Sequence, residues 1–133
     1  MALLAAYCVG LILFFGSQPL AGWQYAQMRG LGRWGVIPIA LSAGFCEELI
    51  YRGYMMTALK RAGHPVWLAM VLSTLSFVLF LGILPLPFLV AGFIIGMIWA
   101  AIYQKFSILW ITIYIHAFWD ATVMLIPWGA GEP

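Results

Sequence analysis

Charge is scarce in this chain. Of its 133 residues, six are Lys or Arg and four are Asp or Glu, 8% in all, where an ordinary soluble domain carries about 25%. So few ionic groups cannot cover a water-facing surface, which excludes a soluble globular domain. Intrinsic disorder is excluded as well, because 65% of the residues are hydrophobic. No basic stripe suited to a nucleic-acid interface is present, so a nucleic-acid partner is excluded. Cysteine is sparse too. Cys8 and Cys46 both sit in apolar segments, where thiols act as small hydrophobes and define no disulfide framework. There is no internal repeat and no low-complexity run, and the length allows one domain.

What is present is long apolar stretches, with a mean hydropathy of +1.05. They predict an all-α fold, a polytopic transmembrane helix bundle with four to five spans, since a crossing helix needs about 20 mostly apolar residues. Ala2 to Gly16 is a marginal first span; an interfacial helix or a signal segment is the other reading. Gly35 to about Leu59, Val66 to Leu84, Leu86 to Gln104 and Ser107 to Ile126 are the remaining four. The Pro85-Leu86-Pro87 turn makes a tight hairpin of the third and fourth. Gln18 to Trp34 mixes Trp, Tyr and Arg and suits the headgroup layer, a solvated loop being the plainer alternative. The expected organisation is thus 1–34 as first span plus interfacial stretch, 35–127 as the transmembrane core and 128–133 as a tail. Lys60, Arg61 and Lys105 fall on one side and Arg29 and Arg33 on the other, which favours the first side as cytoplasmic. Gly92 and Gly96 form a G-x-x-x-G pattern, expected to pack inside the bundle rather than to dimerise.

Each carboxylate at mid-bilayer costs about 2.5–3.5 kcal/mol on insertion scales, so such groups face a protein interior or a wet cavity. The chain nevertheless places Glu47 and Glu48 in the second span with Arg52 a turn later, and His116 and Asp120 in the fifth. Glu48 and Arg52 stand i, i+4, share a helix face and can pair. Glu47 sits about 100° further round without a partner on its own helix, available as a general base. His116 and Asp120 are also i, i+4, so Asp120 is expected to orient the imidazole or to raise its basicity. Facing each other, the two helices would enclose a free carboxylate, an imidazole and a charge-locked support, the makings of general-base attack of water on a carbonyl. Singly, each motif has a blander reading: Glu48 with Arg52 is more often a structural ion pair, and a lone intramembrane His a packed core residue. Both motifs together with the unpaired Glu47 turn the balance toward a reaction site.

The run Glu47-Glu48-Leu49-Ile50-Tyr51-Arg52-Gly53, followed much later by His116-Ala117-Phe118-Trp119-Asp120, resembles the CAAX protease and bacteriocin-processing (ABI, type II CAAX prenyl endopeptidase) family of intramembrane proteases. The likeness extends over roughly Phe45 to Met124 and includes Ser107-Ile108-Leu109-Trp110. It implies a multi-helix membrane bundle that hydrolyses peptide bonds within or near the bilayer. Glu47 would be the water-activating base and His116 its partner, with Glu48 and Arg52 in supporting positions. Two features depart from the family pattern. Its middle motif, Phe-x-x-x-His, reads here Phe77-Val78-Leu79-Phe80-Leu81, or Phe80 to Leu84 in the other register, and neither holds a histidine. His64, beside Pro65 in a loop, does not match. The last motif usually ends in Asn, where Asp120 adds a negative charge.

The resemblance also implies a membrane-anchored or prenylated peptide as substrate, the lipid bilayer as partner and a prokaryotic cytoplasmic membrane as location; oligomerisation is left open. The family has been described both as zinc-dependent and as glutamate-dependent. A catalytic zinc wants about three protein ligands, and the His-Glu-x-x-His motif is absent. A metal-free glutamic mechanism is therefore expected, with a divalent metal such as zinc kept as the open cofactor question. The competing expectation is a catalytically degraded relative, a membrane peptide-binding or immunity-type protein. Leu81 favours it, whereas Glu47 favours the enzyme, because a structural pair needs only Glu48 and Arg52. A proton-coupled carrier has too few spans for inverted repeats. A thiol enzyme built on Cys46 would have two acids beside the thiol, where a reactive thiolate needs cations.

Overall fold

The computed structural model describes residues 32–81 and 86–125. The first segment Ala2–Gly16, most of the stretch Gln18–Trp34 and the tail 128–133 lie outside the described residues, and so do the readings made on them.

The described residues are helical throughout, apart from short turns. Helix α1 (Gly32–Glu48) runs directly into a π-helical segment (Leu49–Met56) and on into α2 (Thr57–Arg61). Pro38 lies inside α1 and removes one backbone donor from it. The long helix then stops sharply. Gly63 takes φ +88°, its N–H donates to Lys60 O at 3.1 Å, and His64 N–H donates to Leu59 O at 3.2 Å. This pair of bonds is the Schellman ending, which needs a residue at ease in the left-handed region. Pro65, extended at ψ 147°, starts α3 (Val66–Phe80). Helix α4 (Leu86–Phe106) carries Pro87 in its first turn, where a missing N–H has no partner to lose. It ends at Ser107, whose N–H donates to Tyr103 O at 2.7 Å. Helix α5 (Leu109–Leu125) follows.

The helices fall where hydropathy places the second to fifth spans, and the third is cut short. The helix expected over Val66–Leu84 stops at Phe80, with Leu81 N–H donating to Phe77 O and Val78 O. Among the described residues, two helices are long and apolar enough to cross a bilayer: Trp34–Arg61, 28 residues, and Leu86–Phe106, 21 residues. At 1.5 Å per residue, the 15 residues of α3 reach only about 22 Å of a hydrocarbon core about 30 Å thick.

Packing inverts the soluble pattern. Trp67, Phe88, Ile94, Tyr114 and Phe118 are exposed, while Glu48, Arg52, Ser73, Thr74, Thr112 and His116 are buried. The largest fully buried side chain is that of Arg52. Small residues allow the close crossings. A Cβ at Gly44 would stand 2.8 Å from Ala117 N, so α1 and α5 touch backbone to backbone. A Cβ at Gly96 would meet Thr74 Cγ2 at 2.8 Å, while Gly92 faces Leu81 and Val78. The glycine seam of α4 therefore lies against α3 within the chain.

Candidate active site

The site forms where α1 gives way to the π-helical segment. Glu47 and Glu48 end α1, and Arg52 lies within the π-helical turns. Such i→i+5 turns are rare and often occur at functional sites. Glu48 is fully buried and central. Its Oε1 accepts from Arg52 Nη1 at 2.6 Å and lies 2.9 Å from His116 Nδ1. A carboxylate engaged by Arg only accepts, so Nδ1 carries the hydrogen and donates. Arg52 Nη2 donates to Gly96 O at 3.0 Å, tying the π-helical segment to α4.

The imidazole is thereby oriented. Its Nε2 faces Glu47 Oε2 at 3.6 Å and Asp120 Oδ2 at 3.5 Å, beyond direct hydrogen-bond range but within ionic reach. Aromatic rings fix it from the sides: Trp99 lies over it at 4.2 Å between centroids, and Phe77 meets it edge-on at 5.8 Å. The same two rings face the Arg52 guanidinium at 5.8 and 5.1 Å. Exposure divides the five polar groups into a floor and a rim. Glu48 and Arg52 are sealed and His116 is nearly so, while the Glu47 and Asp120 side chains remain 16% and 21% exposed.

A family model described as type II CAAX prenyl endopeptidase Rce1-like matches residues 29–122. The chain belongs to this Rce1-like family. No curated protein and no solved structure matches it. Membership places the chain among membrane-embedded proteases that act on peptide substrates, in keeping with its two membrane-length helices.

All five residues singled out in this Rce1-like chain, Glu47, Glu48, Arg52, His116 and Asp120, come together. One assignment changes. The carboxylate that orients His116 is Glu48, reaching across from α1 to Nδ1, and not Asp120, which stands a turn further along α5 on the Nε2 side. Helix α3 contains no titratable side chain. It supplies Phe77 to the site, and Leu81, at the position of the middle-motif histidine, packs against the core cluster of Tyr51, Phe77, Val78 and Trp99. Trp99 and Gly96 are site components that the sequence does not mark. Trp99 is one of seven tryptophans, and Gly96 acts through its carbonyl.

Among the described residues, no three His, Cys, Asp or Glu side chains are grouped to hold a metal ion. Glu48 Oε1 is instead engaged by Arg52 and His116. Beside the site, an apolar groove lies between α1 and α5, lined by Ala40, Leu41, Ala117, Phe118 and Ala121 among others. Ala117 and Ala121 directly follow His116 and Asp120 in sequence.

Proposed function

We propose that this Rce1-like chain is an intramembrane endopeptidase in which Glu47 activates the attacking water and His116 is its partner. Glu47 takes a proton as the water oxygen bonds to the scissile carbonyl carbon. That proton passes by way of His116 Nε2 to the amide nitrogen as the C–N bond breaks. Glu48 holds the ring in register through Nδ1, Arg52 holds Glu48, and Asp120 offsets the imidazolium formed in transit. The observation that carries this reading is the 3.6 Å approach of Glu47 Oε2 to the outward nitrogen of a ring whose inner nitrogen is anchored. The substrate is a membrane-anchored or prenylated peptide, whose apolar anchor the groove beside His116 suits. The catalytic core is 35–127, four to five segments sit in the bilayer, and the location is a prokaryotic cytoplasmic membrane.

Leu81, in place of the histidine of the family's middle motif, favours a second reading, a degraded relative that binds membrane peptides without cleaving them. The experiment compares peptide termini in membranes from cells carrying the wild-type chain or Glu47→Gln at matched expression. Loss of a general base costs about 10²–10⁴ in rate, so termini specific to wild type should vanish in a variant that still folds. Identical termini from two folded proteins would leave the binding protein as the reading.

A further inference from the structure

Outside the site, the described Lys, Arg and His side chains gather at one corner. Lys60, Arg61, His64 and Lys105 are all exposed. They are distant in sequence and brought together by the fold: Lys60 Nζ donates to Gln104 Oε1 at 2.8 Å, joining the last turn of α2 to the last turn of α4. Arg61 and His64 continue from Lys60, and Lys105 adjoins Gln104 with its Nζ 5.4 Å from the Phe106 ring centroid. No acid answers these charges among the described residues, because Glu47, Glu48 and Asp120 all belong to the active site. Trp67 and Phe106, 64% and 50% exposed, flank the corner in the manner of interfacial aromatics.

We infer that this corner binds the headgroup of an anionic phospholipid, its phosphate bridging the ends of α2 and α4. Arg meets phosphate oxygens with a planar fork and Lys with a compact charge, and three fixed cations without a counter-charge supply both. A lipid fits better than a free anion. The corner lies where two membrane-length helices end, beside interfacial rings, and the exposed Ile94 and Ile98 of α4 offer an apolar track for an acyl chain. The bridge joins α4 to the same continuous helical rod that Arg52 ties to it through Gly96 O, so the lipid stabilises the site from its outer end. Counting Lys and Arg assigns this side to the cytoplasmic leaflet, whose surface is anionic.

The test uses the full chain in bilayer discs of phosphatidylglycerol or phosphatidylcholine. It reads the lipids retained, by native mass spectrometry, and the unfolding temperature. Wild type should retain phosphatidylglycerol preferentially, with each cation contributing about fivefold (about 1 kcal/mol), and should unfold at a higher temperature in it. K60Q/R61Q/K105Q should lose both effects while unfolding in phosphatidylcholine as wild type does. K60R/K105R should keep them. A triple variant that retains the wild-type preference overturns the proposal. So does inorganic phosphate stabilising the detergent-solubilised chain as much as phosphatidylglycerol does, since the ligand would then be a soluble anion.

Discussion

Arg52→Met should be the most damaging single change in the bundle. The guanidinium is fully buried, holds Glu48 at 2.6 Å and Gly96 O at 3.0 Å, and lies against Phe77 and Trp99. Met fills much of the volume and removes the charge, leaving Glu48 sealed with no cation of fixed charge beside it. Removing one partner of a buried pair costs about 3–5 kcal/mol. The Gly96 carbonyl adds little, because it lies within α4 and keeps a helical partner. Glu48→Gln alone strands the arginine and should cost a similar amount. The double variant Glu48→Gln/Arg52→Met removes both charges and keeps an oxygen for His116 Nδ1. It should recover to within about 1–2 kcal/mol of wild type, since buried pairs often break even against neutral replacements. The measurement is reversible denaturant unfolding of all four proteins in mixed micelles, analysed as a double-mutant cycle. A coupling below about 1 kcal/mol, or a double variant as unstable as the sum of its singles, would refute the assignment of this pair as the charge lock of the bundle.

Trp99→Phe should keep most peptidase activity, because an aromatic face still covers the imidazole and the guanidinium. Trp99→Ala should lose activity and about 3–5 kcal/mol of stability, and comparing turnover with unfolding for the two variants separates the effects. Gly96→Ala pushes a Cβ to 2.8 Å from Thr74 Cγ2 and 3.2 Å from Arg52 Nη2. It should cost about 1–3 kcal/mol in thermal unfolding, part of which Thr74→Ser restores by deleting the offending methyl; failure of that rescue would mean the strain falls on Arg52.

Hydropathy marks the helices well because apolar runs and prolines are local features. Pro65 and Pro87 fall where a proline is tolerated, just before α3 and in the first turn of α4, and the end at Gly63 needs the one residue at ease with its φ. Hydropathy does not separate a helix of 28 residues from one of 15, since Ile83 and Leu84 are as apolar as the residues before Leu81. At the site, the i, i+4 spacings place Glu48 with Arg52 because both belong to one helix. At Asp120 the same spacing brings a carboxylate within 3.5 Å of His116 Nε2, but the contact that fixes the ring through Nδ1 comes from Glu48 on another helix. Such a contact depends on how α1 and α5 cross at Gly44 and Ala117, and no local spacing encodes it. The same limit hides Trp99 and the Gly96 carbonyl.

The π-helical stretch from Leu49 to Met56 acts as a phase adjuster in the long helix. An α-helix turns about 100° per residue and a π turn somewhat less, so eight such residues rotate everything beyond them relative to the two acids. The half before the stretch presents its face to α5. The stretch itself presents Tyr51 to Phe77 of α3 and Arg52 to Gly96 of α4, and the half after it brings Lys60 to Gln104 of α4. A regular helix of the same length would swing the second half away from these neighbours or the first away from α5. The wider turns let one rod serve two differently aimed walls, and they make residues 49–56 the place where a one-residue deletion would unseat the whole assembly.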